Sequence, residues 1–352
     1  MIYPVILAGG WGERLWPMST PSRPKQVLTL GADRSLVGRT LDRMAGVAVP
    51  ERALVMTSAQ IGETIPAELP GVPVERIIAE PMRKNTAPAI ALAAHLLLHE
   101  DEDAVMVVLP ADHIIGDDDG FRRAIGVAAE AANDQRALVT LGITPSRPDT
   151  EYGYIEAGDR ACDGVFRVRR FTEKPDAEAA AGFLDAGGYY WNSGMFIWRA
   201  DAFLEEVAEH LPDVASALSK VTAGPGAPGF AEQMNAYYEE TPSISVDYGI
   251  MERTDRALVV PADFGWDDVG AWSALGRVWA PDASGNSSQG EVVLIDSSDC
   301  IAYAERGVVA AVGVEGLVVV HTPQATIICP RERAREVRDL LAEVKRRALD
   351  TQ

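Results

Sequence analysis

Short apolar runs alternate with helical patterns up to Leu141: YPVILA, ALVMT, VERIIA, AVMVVLP and ALVTLGI are separated by stretches such as NTAPAIALAAHLLLHE. Each run has the length of a strand buried on both faces, and such strands separated by helices predict a parallel sheet with helices on either side. In NTAPAIALAAHLLLHE, Asn85 is placed to cap a helix and Pro88 falls in the first turn, where proline is tolerated. Ligands of such sheets bind beyond the carboxyl ends of the strands, where LAGG and LPADH both fall.

From Glu151 the texture changes to antiparallel-looking runs (YGYIEA, GVFRVRRFTE, YYWNSGMFIWRA) interleaved with helices, which predicts an insertion completing a cleft over the first half. TAGPGAPGFAEQ reads as a surface loop between helices. After Pro281 a polar link, DASGNSSQGE, leads into EVVLID, CIAYAE, GVVAAVG, GLVVVHT and ATIIC, the pattern of a small β-rich module or a few coils of a β-helix. The last element, PRERAREVRDLLAEVKRRAL, places Ala334, Val337, Leu340, Leu341 and Val344 on one face of an amphipathic helix. Packing or a dimer contact is the role read for this module.

At 352 residues the chain predicts one large domain and a smaller one. The boundaries are read as 1–281, in halves 1–150 and 151–281, and 282–352. A formal net charge of -20 argues against nucleic acid as a partner, because phosphate backbones demand a broad basic surface. Any anionic ligand must be held by local cations or a metal. Cys162, Cys300 and Cys329 are scattered without ligand or redox spacing, which fits reduced thiols in a cytoplasm. No apolar stretch is long enough to span a bilayer, and Val5 to Ala8 is too short for a signal sequence.

The opening loop, LAGGWGERLWPMSTPSRPKQ, fits neither the GxGxxG nor the GxxxxGK[ST] fingerprint. It still has the parts of a phosphate site: glycines that let backbone approach a ligand, and Arg14 and Lys25 to face anionic oxygens. A glycine turn with a solvated basic loop is the alternative. Asp112 leaves a strand where it can ligate Mg2+, or equally cap the next turn, and Asp267 and Asp268 in FGWDDVGAW are a second carboxylate source. Two distant aspartates and a basic glycine-rich loop are what metal-assisted phosphoryl or nucleotidyl transfer needs.

With these residues in place, the chain resembles the sugar-nucleotide pyrophosphorylases of the nucleoside-triphosphate transferase type, and within them the mannose-1-phosphate guanylyltransferase family. The segments that carry the resemblance are LAGGWGERLWPMSTPSRPKQ, AEPMRKNTAPAIALAA, VVLPADH, EYGYIEAG, RFTEKPD, WNSGMFIWRA, SVDYGIMER and GWDDVGAWSAL, in family order over about four-fifths of the chain. The resemblance implies an α/β fold, a Rossmann-like mixed sheet of the GT-A-like nucleotidyltransferase kind, with a small C-terminal β-helix-like module ending in a helix. It implies a nucleotide-binding half (1–150) and a sugar-phosphate-binding half (151–281). The cupin-like isomerase domain of some relatives is not seen, so a single activity is expected.

Position by position, the resemblance implies that Leu7, Ala8, Gly9, Gly10, Gly12, Arg14 and Lys25 cradle the triphosphate, and that Asp112 and Asp268 hold Mg2+. Asp267 is read as solvated. Glu80, Asn85 and Ala87 become candidates for the base-side wall, although Asn85 also suits a helix cap. Gly153, Glu173, Lys174 and Asn192 fall to the sugar phosphate, with Lys174 on its phosphate; a turn role for Asn192, and packing for Tyr152 and Tyr154, are the alternatives. His113 is read as a structural hydrogen-bonding residue. Arg14, Lys25, Asp112 and Lys174 are the expected catalytic set, and Lys25 and Asp112 are expected in a solvated cleft. The implied partners are GTP, mannose 1-phosphate, GDP-mannose and pyrophosphate, with a homodimer. A phosphate monoester is largely dianionic at neutrality, its second pKa being about 6, so no general base is required. The competing readings are another sugar 1-phosphate or nucleotide, and a non-catalytic nucleotide-sugar-binding regulatory subunit.

Overall fold

Successive residues of the strand Val105–Pro110 serve two different cores: Val105, Val107 and Leu109 join one apolar cluster, and Met106 and Val108 the other. That alternation is the period of two of a strand covered on both faces. The computed structural model describes residues 1–347. They fall into two units, one of Met1–Gly9, Val37–Ala111 and Ile115–Trp266, the other of Gly10–Leu36, Asp112–Ile114 and the described residues from Asp267 onward.

The first unit is built on nine strands: β1 (Ile2–Ala8), β2 (Leu54–Ser58), β3 (Ile77–Glu80), β4 (Val105–Pro110), β5 (Leu138–Ile143), β6 (Tyr154–Cys162), β7 (Val165–Thr172), β8 (Tyr189–Arg199) and β9 (Ala257–Ala262). Their order in the sheet is β3-β2-β1-β4-β8-β5-β9-β7-β6. Its helices are α1 (Leu36–Arg43), α2 (Thr86–Leu98), α3 (Asp118–Gln135), α4 (Ala177–Ala186), α5 (Ala200–His210), α6 (Pro212–Leu218) and α7 (Phe230–Glu240). Residues of α2, α5, α6 and α7, among them Leu92, Phe203, Val214 and Tyr237, cover one face; Phe121, Ile125 and Ala128 of α3 cover the other. Burial of each such large side chain contributes about 1.5–3 kcal/mol.

Three local expectations change. VERIIA is a strand only from Ile77, because Val74–Arg76 forms a 3-10 turn after Pro73. The sheet is parallel among β3, β2, β1 and β4, but β8 runs antiparallel between β4 and β5. The runs after Glu151 are therefore not laid over the first half; β6 to β9 extend the same sheet. An eleven-residue strand with a register shift between Thr140 and Gly142 of its partner lets β8 pair with β4, β5 and β6.

In the second unit lie α8 (Leu275–Val278), β10 (Ser287–Gln289), β11 (Val292–Ile295), β12 (Ile301–Ala304), β13 (Val309–Val312), β14 (Leu317–His321), β15 (Thr326–Pro330) and α9 (Val337–Arg346). Strands β10, β12 and β14 pair in parallel, as do β11 and β13, so successive coils stack as in a β-helix; β15 closes the larger sheet antiparallel. Buried Asn286 joins the first coils, its Oδ1 accepting from the Cys300 N–H and its Nδ2 donating to the Ser297 carbonyl.

The predicted terminal helix begins as a 3-10 turn, Arg331–Glu336, before α9. Ala334, Val337 and Leu341 are buried, but Leu340 is exposed: successive residues of an α-helix point about 100° apart, and Leu341 takes the buried side. Its final residues, Ala348 and Leu349, lie outside the described residues, as does the end of the expected 282–352 module. The opening loop belongs to this unit and packs on it: Arg338 pairs with Glu13 at 3.2 Å, Lys345 lies 5.3 Å over the Trp11 ring, and Arg23 reaches Glu305 at 2.5 Å. The indole N–H groups of Trp272 and Trp279 donate to the carbonyls of Trp16 and Leu30.

Candidate active site

Beyond β1 the chain turns through Gly12, whose φ of 80° is a left-handed conformation, into the 3-10 turn Glu13–Leu15 that carries half-buried Arg14. The Gly12 carbonyl accepts from the Leu15 N–H at 2.9 Å and from Ser19 Oγ at 2.6 Å. Buried Gln26 donates its side-chain amide to the Gly10 carbonyl, and the Lys25 N–H donates to the Trp11 carbonyl. A Cβ on Gly12 would meet Lys25 Cβ at 2.6 Å, too close for any real pair. Gly12→Ala is therefore expected to cost about 2 kcal/mol or more and to displace Lys25, read as a lowered melting temperature together with lost turnover. A variant matching the parent in both would disprove the constraint.

Lys25 is not in a solvated setting: it is buried, 5% exposed. Its ammonium donates to Asp112 Oδ2 at 2.8 Å and to the Asp268 backbone carbonyl at 2.6 Å. The bridge works because Ile114 and Asp267 exchange backbone hydrogen bonds at 2.8 and 3.0 Å, clamping the segment after β4 beside GWDDVG. Burial pushes the Asp112 carboxyl up, but the Lys25 ammonium and His113 more than offset this and hold it below the usual carboxylate range. His113 is kept below its ordinary value by burial, against the pull of Asp112. Asp267 is not solvated either; its carboxylate accepts from Arg277 Nε at 2.5 Å and from the Val269 N–H at 2.8 Å, while Asp268 Oδ1 accepts from the Gly270 N–H at 3.2 Å.

Among the described residues no cluster of three or more His, Cys, Asp or Glu could hold a metal. Asp112 and Asp268 offer two hard carboxylates, and Lys25 reaches the first through its side chain and the second through its backbone carbonyl. Such a donor set fits Mg2+, which keeps several waters and binds through one or two carboxylates plus substrate phosphates.

On the first unit, Leu7 and Ala8 close β1, their carbonyls accepting from the Ala111 N–H and Thr57 Oγ1. Glu80 ends β3 with its side chain buried, 8% exposed; Oε1 accepts from the Tyr238 hydroxyl at 2.7 Å, and Oε2 lies 3.6 Å from where a Cβ on Gly9 would sit. Burial pushes this carboxyl up to about 7, against the pull of Tyr238 and Arg83. Below its ordinary value of 4.5 the group is protonated folded or unfolded; as pH rises through 7 the folded state loses stability, about 3 kcal/mol in all. Glu80→Gln should therefore raise the melting temperature at about pH 8, with the gain fading toward about pH 5. An unchanged gain across that range would contradict the burial argument.

Asn85, at φ 68°, caps α2 by accepting from the Thr86 N–H at 2.9 Å. Ala87 is fully buried and donates its N–H to the Ile244 carbonyl; with Thr86 Oγ1 accepting from the Val246 N–H, this stitches α2 to the segment leading into Asp247.

The sugar-side candidates come together. A Cβ on Gly153 would lie 2.5 Å from Glu173 Oε2 and 3.3 Å from Asn192 Cβ, so any other residue there would displace that carboxylate. Asn192 donates its backbone N–H to the Gly153 carbonyl and its side-chain amide to Asp247 Oδ1 at 2.9 Å, while its Oδ1 accepts from the Gly194 N–H at 3.1 Å. The turn and the polar contact are thus both made. Lys174, with φ 46° and a half-exposed side chain, pairs with Glu173 at 3.0 Å. Asp247, not singled out from sequence, is pushed up to about 6 by burial and by Glu173. It opens a π-helical turn, Asp247–Met251, inside the SVDYGIMER segment, which was the available signal. Tyr238 had none, lying in a helix without a motif. Tyr152 packs against Trp191 and Trp266, and the buried Tyr154 hydroxyl accepts from the Asp149 N–H.

The nucleotidyl transferase family model matches residues 3–284, and the mannose-phosphate isomerase/GMP-like β-helix domain model matches 290–344. The xanthan biosynthesis protein XanB of Xanthomonas campestris pv. campestris (strain B100) is 42% identical over 98% of this chain and 73% of its own length. A mannose-1-phosphate guanylyltransferase of Escherichia coli is 41% identical over 98% of this chain and 74% of its own. A solved Thermus thermophilus protein, described as a mannose-1-phosphate geranyltransferase, superposes with a TM-score of 0.89 at 38% identity, covering 98% of this chain and 99% of that one. The chain belongs to the nucleotidyl transferase family and, within it, to the mannose-1-phosphate guanylyltransferases.

Proposed function

We propose that this chain transfers GMP from GTP to α-D-mannose 1-phosphate. An oxygen of the sugar phosphate attacks the α-phosphorus of GTP, the bond from that phosphorus to the bridging oxygen breaks, and pyrophosphate leaves with the electron pair, giving GDP-mannose. The nucleophile is already anionic, so the side chains have to align and neutralise rather than abstract a proton. The observation that carries the reading is the Lys25 ammonium joining Asp112 to the Asp268 backbone beside the glycine loop.

In this reading Gly9, Gly10 and Gly12 bring backbone to the triphosphate, and Arg14 and Lys25 stabilise the departing pyrophosphate. Asp112 and Asp268 would hold Mg2+, which supplies Lewis-acid neutralisation of phosphate oxygens when bound. Glu80 reads the base. Glu173, Asn192 and Asp247 suit mannose hydroxyls, and Lys174 the sugar phosphate. A homodimer belongs to the same proposal, supported by the exposed Val293, Ile295 and Val312 of β11 and β13 and testable by light scattering. So does a cytoplasmic setting, supported by the free state of Cys162, Cys300 and Cys329. No described helix is long and apolar enough to cross a membrane.

The test is pyrophosphate release across four nucleoside triphosphates and several sugar 1-phosphates. The highest kcat/KM is expected for GTP with mannose 1-phosphate; preference for another pair, or binding without turnover, refutes the assignment.

A further inference from the structure

The carboxylate of Glu80 is buried without an ion pair among the described residues: Arg83 acts on it only at longer range, and its hydrogen-bond donor is the hydroxyl of Tyr238, 158 positions further along the chain. Ser58, paired with Glu80 in register across β2 and β3, has a buried hydroxyl with no partner among the described residues. Burying an unpaired carboxylate costs several kcal/mol, so the polar groups at the carboxyl ends of β2 and β3 await donors that the fold itself does not supply.

We propose that Tyr238 is a positioning residue for base selection: by holding Oε1 of Glu80, its hydroxyl leaves Oε2, beside Gly9, to accept from the N1–H and N2–H2 edge of guanine. The inference rests on the reading of Glu80 as the base-side group. Guanine presents two adjacent donors on that edge, whereas adenine presents an N1 lone pair that a carboxylate repels, and hypoxanthine lacks the N2 donor. A site built around donors on its ligand rejects the analogue without them, because its own buried acceptor is then left unpaired.

The same contact governs the pH range of recognition. Tyr237 and Tyr238 of α7, and Arg83 just after β3, are the titratable or charged groups that act on Glu80. Burial pushes the carboxyl up while the Tyr238 bond and Arg83 draw it down. Without the Tyr238 hydroxyl the carboxylate takes up its proton at higher pH and loses its capacity to accept from N1–H.

The test is steady-state kinetics of the full chain with GTP, ITP and ATP at saturating mannose 1-phosphate, from about pH 6 to 9. Tyr238→Phe keeps the ring, and circular dichroism and thermal melting establish that it folds. It should raise KM for GTP about five- to tenfold with kcat within about twofold, narrow the GTP preference over ITP and ATP, and move the acid limb of kcat/KM to higher pH. Glu80→Gln, the second variant, should lose most of the GTP preference. In that background the further Tyr238→Phe change should leave the preference unmoved. If Glu80→Gln retains the parent's preference, the base-side reading of Glu80 fails. If it loses the preference while Tyr238→Phe keeps both preference and pH profile, or if the Phe change acts equally in both backgrounds, the role of Tyr238 is overturned and that of Glu80 stands.

Discussion

Lys25→Met should lower kcat about 10²- to 10³-fold, the size of effect seen when one preorganised donor to developing charge is removed. The structure also predicts a cost in stability. The ammonium is buried and makes contacts of 2.8 Å to Asp112 and 2.6 Å to the Asp268 carbonyl, so methionine fills the stem's volume but leaves both acceptors without their donor. Breaking such a pair costs about 3 kcal/mol when both partners are fully buried, and less here because Asp112 is half-buried. Lys25→Arg should not restore turnover, since the Lys25 stem packs against Gly12 and a planar fork cannot direct one point charge at both acceptors. Pyrophosphate release and thermal melting read the two effects separately. A folded variant with near-normal turnover would remove the main support for the proposed function.

A comparable loss, about 10³-fold in kcat, is expected of Asp112→Asn, which keeps the shape and one acceptor for Lys25 but, in the proposed function, would remove an anionic ligand for Mg2+. Asp267→Asn is the control. Its carboxylate is committed to Arg277 and the Val269 N–H, so it should lose stability by about 1–2 kcal/mol and keep most of its kcat. Exhaustive chelation should abolish activity in the parent, and added Mg2+ should restore it. Turnover that survives chelation, or a reversal of the two asparagine phenotypes, would exclude Asp112 as the metal ligand.

Where the candidate residues lie along the fold was partly legible before any contact was known. LAGG and LPADH end two apolar runs, and β1 and β4 prove to be parallel neighbours whose carboxyl ends carry them. Gly12 and Gly153 were read as glycines that let backbone approach a ligand; in the fold, the space a Cβ would need is taken by the Lys25 stem at Gly12 and by the Glu173 carboxylate at Gly153. Asn85 was readable as a cap from its place before an apolar helix. The partners of Lys25 were not readable, because they lie 87 and 243 positions away and the pairing depends on the Ile114–Asp267 bridge. The resemblance favoured Asp268 over Asp267 as the metal aspartate, but that Asp267 is engaged by Arg277 rather than solvated was not readable, since it depends on what folds against each residue.

What the sequence by itself determined is what short-range periodicity and turn chemistry encode: the alternation of strands and helices, the glycine-rich loop, the β-rich coils and the candidate charges of the site. Tertiary structure alone decided that β8 runs antiparallel between β4 and β5, that the opening loop belongs with the C-terminal module, and that Glu80 meets Tyr238. The reason is physical. A strand or a turn is selected by a few neighbouring residues, whereas strand order, burial and the carboxylate environments that follow from them are set by contacts between segments far apart in the chain.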